Sequence, residues 1–487
     1  MTESGSDSSA GGRLFFQSGI LRAERRQRAA RRPVPRGASV AEPARGAVPV
    51  HAECDVLVVG GGPAGVAAAC ASARTGARTV LLERHNHLGG LSTGGLVIWI
   101  DRMTDWNGRR VIRGFAEEFL DRLPAGAVAG PPRSEWGSRD PALAAHWAQR
   151  TAAFHGTVTW SPTCDPEAMK SAAQEMLLDA GVDIVFHAWG AAPVVRDGAV
   201  RGAVFESKAG RRAVLAPVVV DATGDGDIFH RAGASAADDV DERDIHHCVN
   251  TSWLFGGVDM PAHLRWRAER PGEFSEFMRI GRERFGLLDR AFVSWRDDVA
   301  LFMGPRLAGF SGLDADDQTD VEIRSRRLMA GHLEHYRAHA PGFAGAWPML
   351  MAPQLGVRHS RRLRGAGSVA REGWDGRAAA DEIGVSPSLS PKFANVSVPY
   401  GALVPERLDG LLAPGRHVSC DATSHSFMRE IPQCWMTGQA AGVAAALAAA
   451  KRVEPRAVPV AEIRAALRRQ GAHLGAAAEP SAAMPAA

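Results

Sequence analysis

The run Gly60-Gly61-Gly62-Pro63-Ala64-Gly65 constrains this chain more than any other segment. Before it, Cys54 to Gly60 (CDVLVVG) is continuously apolar and reads as a parallel strand buried on both faces. After it, the alanine-rich stretch Val66 to Thr75 reads as a helix, and Arg78 to Glu83 as a second strand. The run is thus a G-x-G-x-x-G turn inside a βαβ unit. Gly60 permits the tight bend, Gly62 lets backbone approach a pyrophosphate, and Gly65 lets helix and strand pack closely. The helix N-terminus adds unpaired N–H groups and a positive dipole for the phosphates. Glu83 ends the second strand where an acceptor for a ribose 2′-OH belongs, and an acidic residue there argues against a 2′-phosphate.

The βα alternation recurs downstream. Asp165 to Ala180 is an amphipathic helix stopped by Gly181, Val182 to Phe186 a strand, and Arg196-Asp197-Gly198 a hairpin turn between valines. Val218 to Val220 runs into Asp221-Ala222-Thr223-Gly224. Between about Gly233 and Asn395 the alternation weakens, which marks a substrate or cap domain. It returns at Leu411 to Val418, before a small-residue helix over Met436 to Ala450 and an amphipathic one over Val460 to Gln470. A chain of 487 residues exceeds one ordinary core of about 100–150 residues, so cooperating domains are required. The pattern predicts a disordered basic tail (1–50) and a dinucleotide-binding domain in three pieces (51–115, 155–234 and 395–475). It also predicts cap insertions at 116–154 and 235–394 and a disordered tail at 476–487.

Composition narrows the function classes. The formal charge of +3 is too small to argue for nucleic acid, and most of it belongs to the arginines between Arg22 and Arg36. Six scattered cysteines without a CxxC indicate neither a disulfide framework nor a structural zinc site. Adjacent residues on a strand face opposite ways, so His246-His247-Cys248 is not read as a metal site. No apolar run reaches the roughly 18–20 residues of a membrane span, so a soluble cytoplasmic protein is expected.

Five segments carry a resemblance: VVGGGPAGVAAACASARTGARTVLLE, HLGGLSTGG, VDATGDGDIFHRAGA, LDGLLAPGR and REIPQCWMTGQAAGVAAALA. In this order they resemble the FAD-dependent oxidoreductase family of the glutathione-reductase/succinate-dehydrogenase flavoprotein superfamily, from about residue 53 to 473 and weakly across 235 to 350. The resemblance implies an α/β fold: a discontinuous Rossmann-like FAD-binding domain with an inserted α+β substrate/cap domain. It implies non-covalent FAD, since His85 and His87 lack the spacing of relatives that attach flavin through histidine. The implied cofactor residues are Gly60, Gly62, Pro63, Ala64, Gly65, Glu83 and Arg84, then Gly89, Gly90, Leu91 and Ser92. Ala191, Ala222, Thr223, Gly224, Asp225, Gln433 and Thr437 complete the set. Gly89-Gly90 and Gly94-Gly95 are expected to let a loop lie flat on the isoalloxazine, and the helix entered at Gln433 to Thr437 to face the flavin N1–C2=O edge. The stretch SCDATSHSFMRE departs from the family's usual pattern, which leaves the phosphate and ribityl contacts open.

For chemistry, His425 is the candidate base, and Arg429 the candidate to hold a substrate carboxylate or stabilise developing negative charge. Trp99 and Asp101 are candidate pocket residues, Arg358, His359, Arg361 and Arg362 are expected in interdomain ion pairs, and Cys434 as inert packing. No second G-x-G-x-x-G follows a strand, and no CxxC lies near the flavin-binding unit. These readings point to oxidation or desaturation of a small molecule by hydride transfer to FAD, with electrons leaving to oxygen, a quinone or a partner protein. An FAD-dependent monooxygenase and a flavin-binding partner subunit of a larger redox complex are the alternatives.

Overall fold

Val56–Val59 (β1), Thr79–Leu82 (β2), Asp183–Val185 (β3), Val218–Asp221 (β4) and Leu411–Leu412 (β5) form an all-parallel sheet in the order β3-β2-β1-β4-β5. The computed structural model describes residues 20–26, 37–39, 46–237, 247–286 and 289–475, with the backbone of the strand Leu14–Gln17. β1, β2 and β4 are buried along their whole length, as strands covered on both faces must be. Their period of two serves two cores. Val56 and Val58 face the helical layer, while Leu57 and Val59 face an antiparallel meander of Trp189–Arg196, Ala199–Ser207 and Gly210–Leu215.

The labelled helices are Pro63–Arg74 (α1), Phe115–Asp121 (α2), Pro166–Asp179 (α3), Ala315–His339 (α4), Ala422–Met428 (α5) and Ile431–Lys451 (α6). α1 and α6 start earlier than the apolar pattern predicts, because each holds a proline in its first turn, where the missing N–H costs no helical bond. The two cross at van der Waals contact. A Cβ at Gly438 or Gly442 would collide with the carbonyl oxygens of Ala64 and Ala68 on α1.

The cap has its own core. Trp253–Gly256, Phe292–Val293, Val299–Phe302 and Trp347–Met351 form an antiparallel sheet, and Trp253, Phe255, Phe302, Tyr336 and Phe343 are buried there with Val321 and Leu328 of α4. The cores divide the chain differently from the sequence pattern. Phe119 of α2, expected in a cap insertion, packs with Trp435 of α6. Ile383, expected in the cap, shares that same core with Val396 and Val398 of the third dinucleotide-binding piece.

The reading of 1–50 as disordered is corrected at its described part. Ile20–Ala23 pairs in parallel with Leu307–Ala308, and Leu21 is fully buried. Beyond it Arg25 makes two bonds of 2.7 Å to the buried Asp317, and the Arg26 amide donates to Asp320 at 2.9 Å. Two apolar residues among many arginines are enough when a strand edge and two buried carboxylates await them. The expectation for 476–487 lies outside the described residues.

Two cap histidines make stability depend on pH. His263 is buried among Trp266, Tyr336 and Phe343, and burial pulls its pKa down to about 4. Burial likewise pulls His332 down to about 3, although its Nδ1 lies 2.7 Å from the Leu328 carbonyl. The unfolded chain binds protons at both positions near pH 6.5 and the folded chain does not, so acidification favours unfolding. Urea unfolding is expected to show stability falling as pH drops from about 7 to about 5, with a shallower fall in His263→Phe. An unchanged pH slope in that variant would contradict the assignment.

Candidate functional site

The C-terminal ends of β1, β2, β4 and β5 open onto one cleft with about 960 Å³ of empty space, walled by Gly60, Glu83, Ala222 and Pro414. Ligands of open parallel sheets bind at this edge. Gly60 adopts φ +102°, and a side chain there would strike the Ala222 carbonyl, 2.5 Å from its Cβ. A Cβ at Gly65 would overlap the Gly60 carbonyl. At Gly62, by contrast, nothing lies within 4 Å of the Cβ position, so the turn presents bare backbone to the cleft. α1 begins immediately after it, and the first amides of a helix have no intrahelical acceptor.

Glu83 is buried and shared between two amides. Its Oε2 accepts from Gly61 N–H at 2.6 Å, and its Oε1 from His85 N–H at 2.8 Å. Burial raises its pKa, against the lowering effect of those amides. Each oxygen keeps a lone pair beyond its amide, as a ribose acceptor must. Beside it Arg84 lies over the indole of Trp189, 5.3 Å from the ring centroid, and both line the cleft.

The DATGDGD segment is organised by its acids. Asp221 accepts from the Thr223 hydroxyl at 2.7 Å and from the amides of Ile228 and Phe229 at 3.0 and 2.8 Å, which caps the short helix Asp227–Arg231. Asp225 accepts from the Ser360 hydroxyl at 2.6 Å and from Arg416 at 2.5 Å. Burial pushes the Asp225 carboxyl up, but Arg416 and Ser360 outweigh it and hold the group below the usual range. Arg361 donates to the Asp225 carbonyl at 3.0 Å, so the VRHSRR stretch pins the cap to the strand-end turn.

Of the expected cofactor residues, Gly60, Gly62, Pro63, Ala64, Glu83, Arg84, Gly90, Leu91, Ala222, Thr223, Gly224 and Asp225 line the cleft. Gly65 acts behind them through packing. Gly89, Ser92, Ala191, Gln433 and Thr437 are not on the wall. The Ser92 hydroxyl donates to the Gly89 carbonyl, the Ala191 carbonyl accepts from Arg231, and Gln433 donates to Ser386. Thr437 lies inside α6 because that helix starts at Ile431, and its hydroxyl accepts the Gly415 amide at 3.1 Å. The residues of α6 on the wall are Ile431 and Cys434.

The glycines of the 89–95 loop have another cause than the one expected. Their missing side chains leave room for protein atoms: Thr93 beside Gly89, the Gly62 backbone beside Gly90, His87 and Gln354 beside Gly94, and Leu91 beside Gly95. His425 does not reach the cleft either. It is buried on α5, its Nε2 is 3.2 Å from the Arg416 carbonyl, and its ring packs against His359. Arg429 does line the cleft and pairs with Glu430 at 2.9 Å.

Sequence reasoning missed the remaining walls. Arg416 follows β5 in LDGLLAPGR and gave a signal as the one cation in that segment. Gln354, Leu355 and Val357 come from the cap, where no periodicity marks them. Gln354 is oriented by a relay in which the Asn86 side-chain oxygen Oδ1 accepts from His87 Nδ1–H at 2.8 Å and His87 Nε2 accepts from Gln354 Nε2–H at 3.0 Å. The bare turn at Gly62, the helix N-terminus, the Glu83 acceptor and the Arg416 cation together fit a flavin adenine dinucleotide.

The family model described as FAD dependent oxidoreductase matches residues 55–467. The chain is 39% identical over 101 residues to a thiamine thiazole synthase of Aeropyrum pernix, which is 20% of this chain and 34% of that protein. It thus spans about a third of that curated relative's length. Among solved structures, a geranylgeranyl bacteriochlorophyll reductase-like protein of Thermoplasma acidophilum is similar with a TM-score of 0.43 and 12% identity, covering 86% of this chain and 83% of that one. A myxobacterial chondrochloren halogenase is similar with a TM-score of 0.43 and 13% identity, covering 86% and 79%.

The empty space at Gly62 separates cofactor binding from folding. Gly62→Val is expected to leave the thermal midpoint of the flavin-free protein in place and to weaken FAD by roughly tenfold to hundredfold, the cost of overpacking a contact by about 1–3 kcal/mol. Gly65→Val is expected to lose the fold as well. Titration with FAD alongside thermal unfolding checks both, and a Gly62→Val protein with parental FAD affinity would contradict the site.

Proposed function

Because this chain belongs to the FAD-dependent oxidoreductase family, we propose that it oxidises or desaturates a small organic molecule by hydride transfer to FAD. FAD is the cofactor, and it supplies the two-electron acceptor. The observation that carries the reading is the meeting of cap and cofactor domain. Gln354, Leu355 and Val357 face the same cleft as Arg429, Ile431 and Cys434, which encloses a small, partly apolar space. Substrate oxidation needs such a space, where water is excluded and one polar group orients the reactant.

The roles follow from placement. The first turn of α6 reaches the cleft through Ile431 and Cys434, so its partial positive charge favours negative charge developing there. Burial and the neighbouring Glu430 push the Cys434 thiol up to about 12, so it stays protonated and serves as packing. Arg429 holds and polarises the substrate. His425 is a positioning residue, since it acts through the Arg416 carbonyl while the Arg416 guanidinium holds Asp225 and Gly224. Among the described residues no helix is long and apolar enough to cross a membrane, and the electron acceptor is oxygen, a quinone or a partner protein.

Anaerobic screening of small-molecule pools for bleaching of the bound flavin identifies the substrate. With that compound, Arg429→Ala is expected to retain FAD and slow flavin reduction by about 10²–10³-fold, the usual loss for an electrostatic stabiliser. His425→Asn is expected to slow it by less than about tenfold, as a residue that acts through another. Bleaching by reduced nicotinamide, with isotopic oxygen appearing in the product, would overturn the reading in favour of a monooxygenase.

A further inference from the structure

Away from the cofactor cleft, a recess with about 870 Å³ of empty space is walled by Arg109, Arg110, Arg113, Arg133, Glu117 and Trp136, with Gly108 between them, and it shares no lining residue with that cleft. Four guanidinium groups thus meet one carboxylate. Glu117, on α2, is engaged by Arg110 and by Arg113, the latter at 3.0 Å. Burial works against its ionised form, but those two arginines prevail and hold its carboxyl below the usual range. Arg109 and Arg133 are exposed, and among the described residues their guanidinium groups make no hydrogen bond or ion pair.

Two loops fix the frame that carries these arginines. In the first, the buried Asp105 accepts from the amides of Asn107 and Arg109, each at 2.9 Å, and its own amide donates to the Arg109 carbonyl at 2.8 Å. That closes a tight turn with Arg109 and Arg110 at its end. In the second, the Trp136 indole donates to the Pro131 carbonyl at 2.9 Å and stacks on Trp160, with ring centroids 5.0 Å apart. The loops touch backbone to backbone, since a Cβ at Gly108 would collide with the Trp136 carbonyl and one at Gly137 with the Asn107 carbonyl. Arg110 joins them, its guanidinium 5.0 Å from the Trp136 ring centroid. A ligand therefore meets a frame ordered in advance, which lowers the cost of binding.

We propose that this recess binds the diphosphate group of a small molecule, as a second ligand site separate from the FAD cleft. Guanidinium forks match phosphate oxygens in bidentate geometry. The charge balance favours two phosphates over one. A phosphate ester carries about 1.5–2 negative charges near pH 7, so a diphosphate approaches the three positive charges that remain once Glu117 is set against the four arginines. The surroundings favour a small molecule, because the two recesses that share Arg110 with this one are lined in part by Asp121 and by Glu382, carboxylates that an extended polyanion would have to pass. Glu117 holds Arg110 and Arg113 until an anion competes for them. The inference does not depend on the reaction at the flavin.

The test is calorimetric titration of the FAD-loaded full chain, freed of excess cofactor, with pyrophosphate, ADP and inorganic phosphate at constant ionic strength. The visible spectrum reports whether flavin stays in place. Pyrophosphate or ADP is expected to bind saturably at roughly millimolar concentration or below, about fivefold or more tighter than inorganic phosphate and without displacing flavin. Tighter binding of ADP assigns the site to a nucleotide and tighter binding of pyrophosphate to the free diphosphate, and both support the proposal. Arg109→Gln and Arg133→Gln are each expected to weaken binding by roughly fivefold. Glu117→Gln is expected to strengthen it by roughly the same factor, because it releases two arginines, and that sign is opposite to the effect of a damaged fold. Diphosphates bound no better than inorganic phosphate, parental affinity in both arginine variants, weaker binding in a folded Glu117→Gln protein, or binding only with loss of flavin would overturn the proposal.

Discussion

The bond from the Gly61 amide to the Glu83 carboxylate, 2.6 Å long and buried, ties the end of β2 to the glycine turn after β1. A carboxylate in that position is desolvated, which raises its pKa, and the Gly61 and His85 amides counter the penalty. The turn cannot hold its shape by side chains, because Gly60 and Gly65 must lack them to clear the Ala222 and Gly60 carbonyls. Glu83 therefore does for the turn what packing does elsewhere. The same arrangement leaves Gly62 facing open space, so one buried acid both builds the cleft and presents its bare backbone.

Acids repeat this role along the sheet edge. Asp221 folds the turn after β4 onto its own amides, and Asp225 receives Arg416 from β5 and Ser360 from the cap. The donors to Asp221 are local, whereas the desolvation of Asp225 is offset by donors from segments distant in sequence. The cleft wall is thus drawn from 59–64, 82–85, 90–91, 188–190, 222–227, 354–357 and 414–434, and no piece of it stands alone. The α1–α6 crossing fixes the remaining side, since Gly438 lies against Ala64, itself part of the wall.

The glycine turn and Glu83 were legible because their signals are local. A strand, a turn and a helix within thirty residues leave periodicity and glycine spacing that sequence alone carries. Gly89 to Gly95 looked like clearance for a flat ring, and proximity in space shows instead clearance for Thr93, Gly62, His87, Gln354 and Leu91. His425 looked catalytic because it precedes α6, but the helix α5, capped by Asp421, turns it toward Arg416. The cap residues Gln354, Leu355 and Val357 carry no local pattern, and only the meeting of the cap with the sheet edge gives them meaning. The strand Ile20–Ala23 was hidden by the arginines around it, two of which are partners of buried aspartates.

The central claim is that this sheet edge is built to hold FAD without a covalent bond. Purified protein saturated with FAD, freed of excess and then precipitated with acid tests it most directly. The account predicts about one flavin per folded chain, yellow before precipitation, with the colour leaving in the supernatant. A folded chain that retains no flavin after reconstitution would contradict the claim, and a yellow pellet would contradict its non-covalent form.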